Sequence, residues 1–207
     1  MRIQGLYAIT PDEADTSVLA DQVRAAVAGG ARVVQYRNKV ASPALRLEQA
    51  TALLAVCRGR DAALIVNDHL DLALEIGADG VHLGREDGAV AHARAALGPG
   101  RILGVSCSNT VQYAVDVQRQ QADYVAFGSF FLSGVKPDAV RAPIALLTQA
   151  KQLLSIPVVA IGGITLHNAA ELIAAGADSI AVISALFGAP DIRVAAEHFC
   201  NLFRPVP

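Results

Sequence analysis

A short punctuation recurs along this chain: Gly30-Ala31, Gly77-Ala78-Asp79, Gln121-Ala122-Asp123 and Gly176-Ala177-Asp178, with the alanines 47, 44 and 55 residues apart. Each instance closes a stretch whose apolar residues fall at helical spacing and opens a short apolar run. Glycine at a helix end supplies the left-handed conformation that reverses the chain, and Asp in the following turn is expected to bond local backbone. The runs so delimited read as strands over Gly5 to Thr10, Arg32 to Arg37, Ala63 to Asn67, Gly80 to Leu83, Ile102 to Ser106, Tyr124 to Gly128, Val158 to Gly162 and Ser179 to Ile183. Most are apolar on both faces, as strands are when helices cover one side and stacked side chains fill the other. Between them lie segments such as Leu45, Leu47, Ala50, Leu53, Leu54 and Cys57, or Leu146, Leu147, Ala150, Leu153 and Leu154, spaced for helices. A double βα unit repeated four times predicts an α/β fold, a single (βα)8 TIM barrel spanning residues 1–207 as one domain. The competing architecture is an open doubly wound sheet; eight units without a compositional break favour closure.

Composition narrows the function classes. A net charge of -2 with no Lys/Arg-rich run argues against nucleic-acid binding, which draws its affinity from neutralised phosphates. Apolar stretches are broken by Gly, Asp or Arg well short of the roughly 20 residues a membrane span requires, and Met1-Arg2-Ile3-Gln4 carries no signal-peptide pattern, so a cytoplasmic protein is expected. The cysteines Cys57, Cys107 and Cys200 match no metal spacing and read as buried thiols, Cys107 being the nearest to a strand tip.

In a barrel of this class chemistry gathers at the C-terminal ends of the strands, and here nearly every run ends in a polar residue. Asp68 and Asp87 stand just past two neighbouring runs, where carboxylates suit a hard cation such as Mg2+ together with phosphate oxygens. For Asp68 the alternative is a helix N-cap. Gln35, Arg37 and Lys39 alternate along an extended segment and so share a side, forming an anion-receptive cluster; a solvated charged turn is the alternative. Ser106 ends the fifth run. The sixth passes into the small-residue loop Gly128 to Pro137, which contains Ser133 and Lys136 and has the composition of a segment able to fold over a ligand or of an idle turn. The seventh run ends in Gly162-Gly163 and the eighth in Ile183-Ser184, where backbone N–H groups often hold phosphate in such barrels. Of the histidines, His92, His167 and His198 read as surface residues and His69 as solvated, whereas His82 points either into the barrel or into packing. No nucleophile elbow or dinucleotide fingerprint is present.

Taken in order, these residues resemble the thiamine-phosphate synthase family over almost the whole chain. The resemblance rests most on Val34-Gln35-Tyr36-Arg37-Asn38-Lys39, Val66-Asn67-Asp68, Ala78 to Gly84 with Glu86-Asp87, and Ala160-Ile161-Gly162-Gly163-Ile164. It implies a transferase of thiamine biosynthesis that joins 4-amino-2-methyl-5-hydroxymethylpyrimidine diphosphate to thiazole phosphate. It further implies Mg2+ on Asp68 and Asp87, and a diphosphate surrounded by Gln35, Arg37, Lys39, Asn67, Ser106, Ser133 and Lys136, of which Arg37, Ser106 and Lys136 form the catalytic set. Thiazole phosphate would lie on Gly163, Ile183 and Ser184. The partners so implied are small molecules, with neither nucleic acid nor membrane, and homodimerisation is compatible with them.

The chain departs from the family pattern in three places. Asn38 stands for an acidic residue, Arg85 for Gln, and Phe131-Leu132-Ser133-Gly134-Val135-Lys136 for a Phe-Pro-Thr-x-Thr-Lys-like loop. All three are expected to fall where diphosphate binds, each lost donor costing on the order of 1.5–3 kcal/mol. Two rival readings accompany the resemblance. One is an isomerase of the thiazole tautomerase type, which would want a His where Ser129 stands; the other is a non-catalytic barrel that binds a phosphate ligand. Mg2+-dependent release of diphosphate separates the first reading from both.

Overall fold

The computed structural model describes residues 3–85, 89–132 and 140–204. Eight parallel strands close on one another in chain order: β1 (Gly5–Ile9), β2 (Val33–Tyr36), β3 (Ala63–Asn67), β4 (Gly80–Leu83), β5 (Ile102–Ser108), β6 (Tyr124–Phe127), β7 (Val158–Ile161) and β8 (Ser179–Val182). The return connections carry helices α1 (Thr16–Ala28), α2 (Pro43–Arg58), α3 (Leu70–Ile76), α4 (Val90–Leu97), α5 (Val111–Arg119), α6 (Ala145–Leu153) and α7 (Ala169–Ala174). After β8 come α8 (Ser184–Phe187) and α9 (Ile192–Asn201). Closure is direct: β8 pairs with β1 through Leu6 opposite Ile180 and Tyr7 opposite Ala181, so no sheet edge remains. An open sheet is thereby ruled out. All strands end within one residue of the sequence expectation except β5, which runs two residues beyond Ser106 because its pairing with β6 shifts register between Ser106 and Ser108.

Alternation within each strand sorts side chains into two cores. Leu6, Ala8, Val34, Leu64, Val66, Val81, Leu103, Val125, Ala160 and Ile180 face the helices. Tyr7, Ile9, Val33, Ile65, Tyr124, Ala126, Val159 and Ala181 fill the barrel interior. Both populations are apolar, which is why the strands carry no alternating pattern in sequence. Helix starts are signalled where side chains satisfy orphan N–H groups: Asp15 accepts from Ser17 and Val18, Ser42 from Leu45 with Pro43 in the first turn, and Asp191 from Val194. Among the described residues no helix is long and apolar enough to cross a membrane.

The recurring aspartates bond differently from expectation. Rather than closing local turns, each reaches the start of the preceding strand: Asp79 Oδ2 accepts from Leu64 N at 2.8 Å, Asp123 Oδ2 from Leu103 N at 2.7 Å and Asp178 Oδ2 from Val158 N at 2.8 Å. Their own N–H groups donate to the carbonyls of those same three residues. Arg94 pairs with Asp123, and Lys151 with Asp178 at 2.8 Å. The repeat is therefore a staple at the N-terminal face of the barrel, where polar groups serve stability, and it leaves the opposite face to the ligand.

Candidate functional site

The strand tips enclose a cavity of about 650 Å3 lined by residues from all eight strands or the loops that follow them. Of the expected site residues, Gln35, Arg37, Asn67, Ser106, Gly163, Ile183 and Ser184 line it. Lys39 and Asp68 do not line it; they pair with each other, the ammonium half exposed and the carboxylate largely covered, and Asp68 lines a separate pocket with residues of α2 and α3. Asp87, Ser133, Val135 and Lys136 lie outside the described residues.

Asp68 does not cap α3. The N-cap is His69, which makes no side-chain cap bond, while the Asp68 carboxylate turns toward Lys39. Its φ of 63° lies in the left-handed region, a conformation that costs a non-glycine residue roughly 1 kcal/mol, Asp being among the more tolerant. The Asp68 N–H donates to His82 O at 2.8 Å, locking this turn to the tip of β4.

A polar chain crosses the interior below the cavity. Gln35 Nε2 donates to Tyr7 Oη at 2.9 Å, Tyr7 Oη lies 2.7 Å from Tyr124 Oη, and His82 bridges Tyr124 Oη and Ser106 Oγ through Nδ1 and Nε2, both at 2.8 Å. Each phenol has one proton to give and can accept from two donors. Two orders satisfy every bond: Tyr7 donates to Tyr124, Tyr124 to His82 Nδ1 and His82 Nε2 to Ser106, which frees the Ser106 proton for a ligand; or Ser106 donates to His82 Nε2, His82 Nδ1 to Tyr124 and Tyr124 to Tyr7. Burial pushes the phenols of Tyr7 and Tyr124 well above their ordinary values, so both stay neutral donors. His82 thus points into the barrel, where it also stacks on Tyr124 with ring centroids 5.5 Å apart. Tyr7 and Tyr124 were not singled out in the sequence, since bulky residues inside apolar runs look like ordinary core.

On the far side, Gly162 and Gly163 adopt φ of 104° and 63°. A Cβ on Gly162 would lie 2.0 Å from Ser129 Oγ, and one on Gly163 would lie 2.3 Å from Leu132 O. These glycines admit the chain that follows β6, which Phe131 N ties down by donating to Gly162 O at 3.0 Å. Asn168 braces the same turn, accepting from Thr165 N and donating to Gly163 O. Cys107 is buried, its thiol pushed up to about 12, and is inert rather than reactive.

Two of the three departures lie away from the cavity, contrary to expectation. Arg85 stacks on the Tyr113 ring of α5, 5.0 Å from its centroid. Asn38 is buried between the end of β2 and α2: Nδ2 donates to Glu13 O at 2.8 Å and to Gln49 Oε1 at 3.1 Å, and Oδ1 accepts from Val40 N and Ala41 N. Every capacity of the amide is used, so Asn here is a brace. Asn38→Asp removes both donors and sets a carboxylate against two acceptor oxygens, at an expected cost of about 3 kcal/mol at neutral pH. Burial among acceptors raises the folded-state pKa of the introduced group above its unfolded value of about 3.9, so the loss deepens as pH rises from there through the folded pKa. Urea unfolding at pH 5 and pH 8 checks this; a variant as stable as the parent at pH 8 would refute the brace.

The family model described as thiamine monophosphate synthase matches residues 6–186. The chain belongs to the thiamine monophosphate synthase family. It is 55% identical over 202 residues to the thiamine-phosphate synthase of Nitrosospira multiformis, covering 98% of this chain and 86% of that one. Identity to the thiamine-phosphate synthase of Methylobacillus flagellatus is also 55%, over 201 residues, with 97% and 96% covered. Thiamine phosphate pyrophosphorylase from Pyrococcus furiosus, 37% identical, matches with a TM-score of 0.87 over 97% of this chain and 96% of its own. Kinship of this depth supports an enzyme, and a transferase, in a thiamine monophosphate synthase barrel.

Proposed function

We propose that this protein joins the exocyclic carbon of 4-amino-2-methyl-5-hydroxymethylpyrimidine diphosphate to the ring nitrogen of thiazole phosphate, releasing diphosphate and forming thiamine phosphate. The observation that carries the reading is one cavity with two anion-receptive sides: Gln35, Arg37, Asn67 and Ser106 on the β2, β3 and β5 tips, and Gly163, Ile183 and Ser184 on the β7 and β8 tips. Between them lies the floor of neutral aromatic hydroxyls, suited to a flat heterocycle.

In this reading Asp68 and Asp87 hold Mg2+, with Lys39, Asn67, Ser133 and Lys136 completing the diphosphate pocket. The fit of a cation rests on Asp68, whose hard carboxylate oxygens already face a positive group, the Lys39 ammonium. Bound there, Mg2+ would supply charge neutralisation to the diphosphate oxygens. Arg37, Lys39 and Lys136 orient the leaving group and stabilise its charge as the carbon–oxygen bond lengthens, while the Ser106 hydroxyl donates from the floor. The electron-rich pyrimidine stabilises the cationic carbon, and the thiazole nitrogen closes the new bond. That nitrogen carries no proton to lose, so the scheme needs no general base, and the phenols of Tyr7 and Tyr124 are kept protonated. One barrel domain in the cytoplasm, acting on small molecules, completes the proposal.

Incubation with both substrates and Mg2+ is expected to yield thiamine phosphate and diphosphate in equal amounts, with chelation by EDTA abolishing both. Isomerisation of the thiazole without the pyrimidine, or binding of either substrate without turnover, would overturn the reading.

A further inference from the structure

We propose that Asp12 is the residue that positions the two cations at the tip of β2, a role that rests on the function proposed above. Within residues 37–41 the Asn38 side chain ties down only Val40 N and Ala41 N, and backbone pairing does not reach Arg37 or Lys39, because strand pairing ends at Tyr36 and the helical bonds of α2 begin only beyond Ser42. The four residues following β1 supply the missing template. Thr10 Oγ1, fully buried, donates to Arg37 O at 2.9 Å and accepts from Arg37 N at 2.8 Å. Glu13 O receives the Asn38 amide at 2.8 Å. Asp12 Oδ1 accepts from Lys39 N at 2.8 Å and lies 3.4 Å from Arg37 Nη1.

Each residue of the Arg37-Asn38-Lys39 tip is thus clasped by one from Thr10 to Glu13, and Asp12 is the member that reaches both charged residues. It fixes the backbone from which the Lys39 side chain departs and the guanidinium of Arg37 itself. A carboxylate so close to an anion pocket works against anion affinity, so its contribution lies in geometry. The Arg37 side chain otherwise loses several rotamers' worth of entropy on meeting a phosphate, and misplacing either cation by about an ångström can cost on the order of 100-fold in rate. Asp12 touches no reacting atom and acts through Arg37 and Lys39.

The test compares Asp12→Ala with Asp12→Asn, which retains the acceptor for Lys39 N and drops only the charge. Asp12→Ala is expected to lower kcat for the pyrimidine diphosphate by about 30-fold with KM changed less than about threefold, and Asp12→Asn to recover to within about fivefold of the parent. In a Lys39→Ala background the same Asp12→Ala change is expected to cost no more than about tenfold, because only Arg37 is then left for it to position. Calorimetric titration with Mg2+ and inorganic pyrophosphate gives a readout without turnover, for which Asp12→Ala is expected to weaken binding about tenfold. An Asp12→Ala variant within twofold of the parent in both measurements overturns the proposal, as does an equal loss with and without Lys39. If the parent binds pyrophosphate but forms no thiamine phosphate, the proposed function fails while the titration still decides the role of Asp12.

Discussion

Asp68→Asn is expected to lower Mg2+-dependent kcat by about 1000-fold or more while leaving the melting temperature within about 3 °C of the parent. The substitution conserves volume and keeps a side chain that tolerates the left-handed φ of 63°, so what is lost is the charge. Its pairing with Lys39 contributes little stability, since the ammonium is half exposed and such pairs are worth about 0–1 kcal/mol. Asp68→Ala should lose the same activity and in addition about 1 kcal/mol of stability, because alanine is less at ease in that conformation. Turnover at saturating substrate across a Mg2+ series reads the first effect and thermal unfolding the second. Parent-like kcat in either variant would remove Asp68 from the metal site and with it the proposed arrangement of the diphosphate.

Gly104→Ala is expected to be among the most damaging single methyls in the barrel. Its Cβ would lie 2.0 Å from Tyr124 Cζ and 2.2 Å from Tyr124 Oη, and that ring cannot retreat. The Tyr124 side chain is fully buried, packed edge-on against Tyr7 with centroids 5.9 Å apart, stacked on His82, and bonded through its hydroxyl to both. Relief requires displacing it, which combines overpacking of about 1–3 kcal/mol with two lost buried hydrogen bonds of about 1 kcal/mol or more each. A total of about 4 kcal/mol corresponds to a fall in melting temperature of roughly 8–16 °C for a chain of this size. Activity should fall with it, because His82 and Ser106 hang from the same chain of bonds. The companion variant Tyr124→Leu separates the causes: it is costly alone, but with the ring gone the added Gly104→Ala should cost less than about 1 kcal/mol. A similar penalty for Gly104→Ala in both backgrounds would show that the glycine serves something other than room for Tyr124.

The same two positions mark where reading the chain stops. Gly104 and Tyr124 both sit inside apolar runs, and a strand buried on both faces offers no alternation from which to tell inward from outward residues. The pairing of a missing side chain on β5 with a large ring on β6 is therefore invisible until the barrel closes, and so is the chain of bonds from Gln35 to Ser106. Asn38 shows the opposite failure. The substitution was legible as a departure, but its place in a loop next to two cations put it in the pocket, whereas the fold turns its amide inward onto Gln49 and Glu13. Asp12 had a readable signal, a carboxylate two residues past the end of an apolar run, and it meets the tip of β2 only because β1 and β2 pair in the register that sets Ile9 beside Gln35.

Local chemistry was enough to determine the count and order of the βα units, the ends of most strands, and the set of polar residues at their tips. These follow from short-range rules: helical spacing, chain-reversing glycines, and the polar residue that ends a buried run. Which tip residues meet was decided only by tertiary structure. Closure of the eight strands brings residues such as Lys39 and Asp68, 29 positions apart, into contact, and carries the aspartates of the repeat away from their own turns to the strands before them. Those contacts depend on barrel geometry, a property of all eight strands together and of no segment alone.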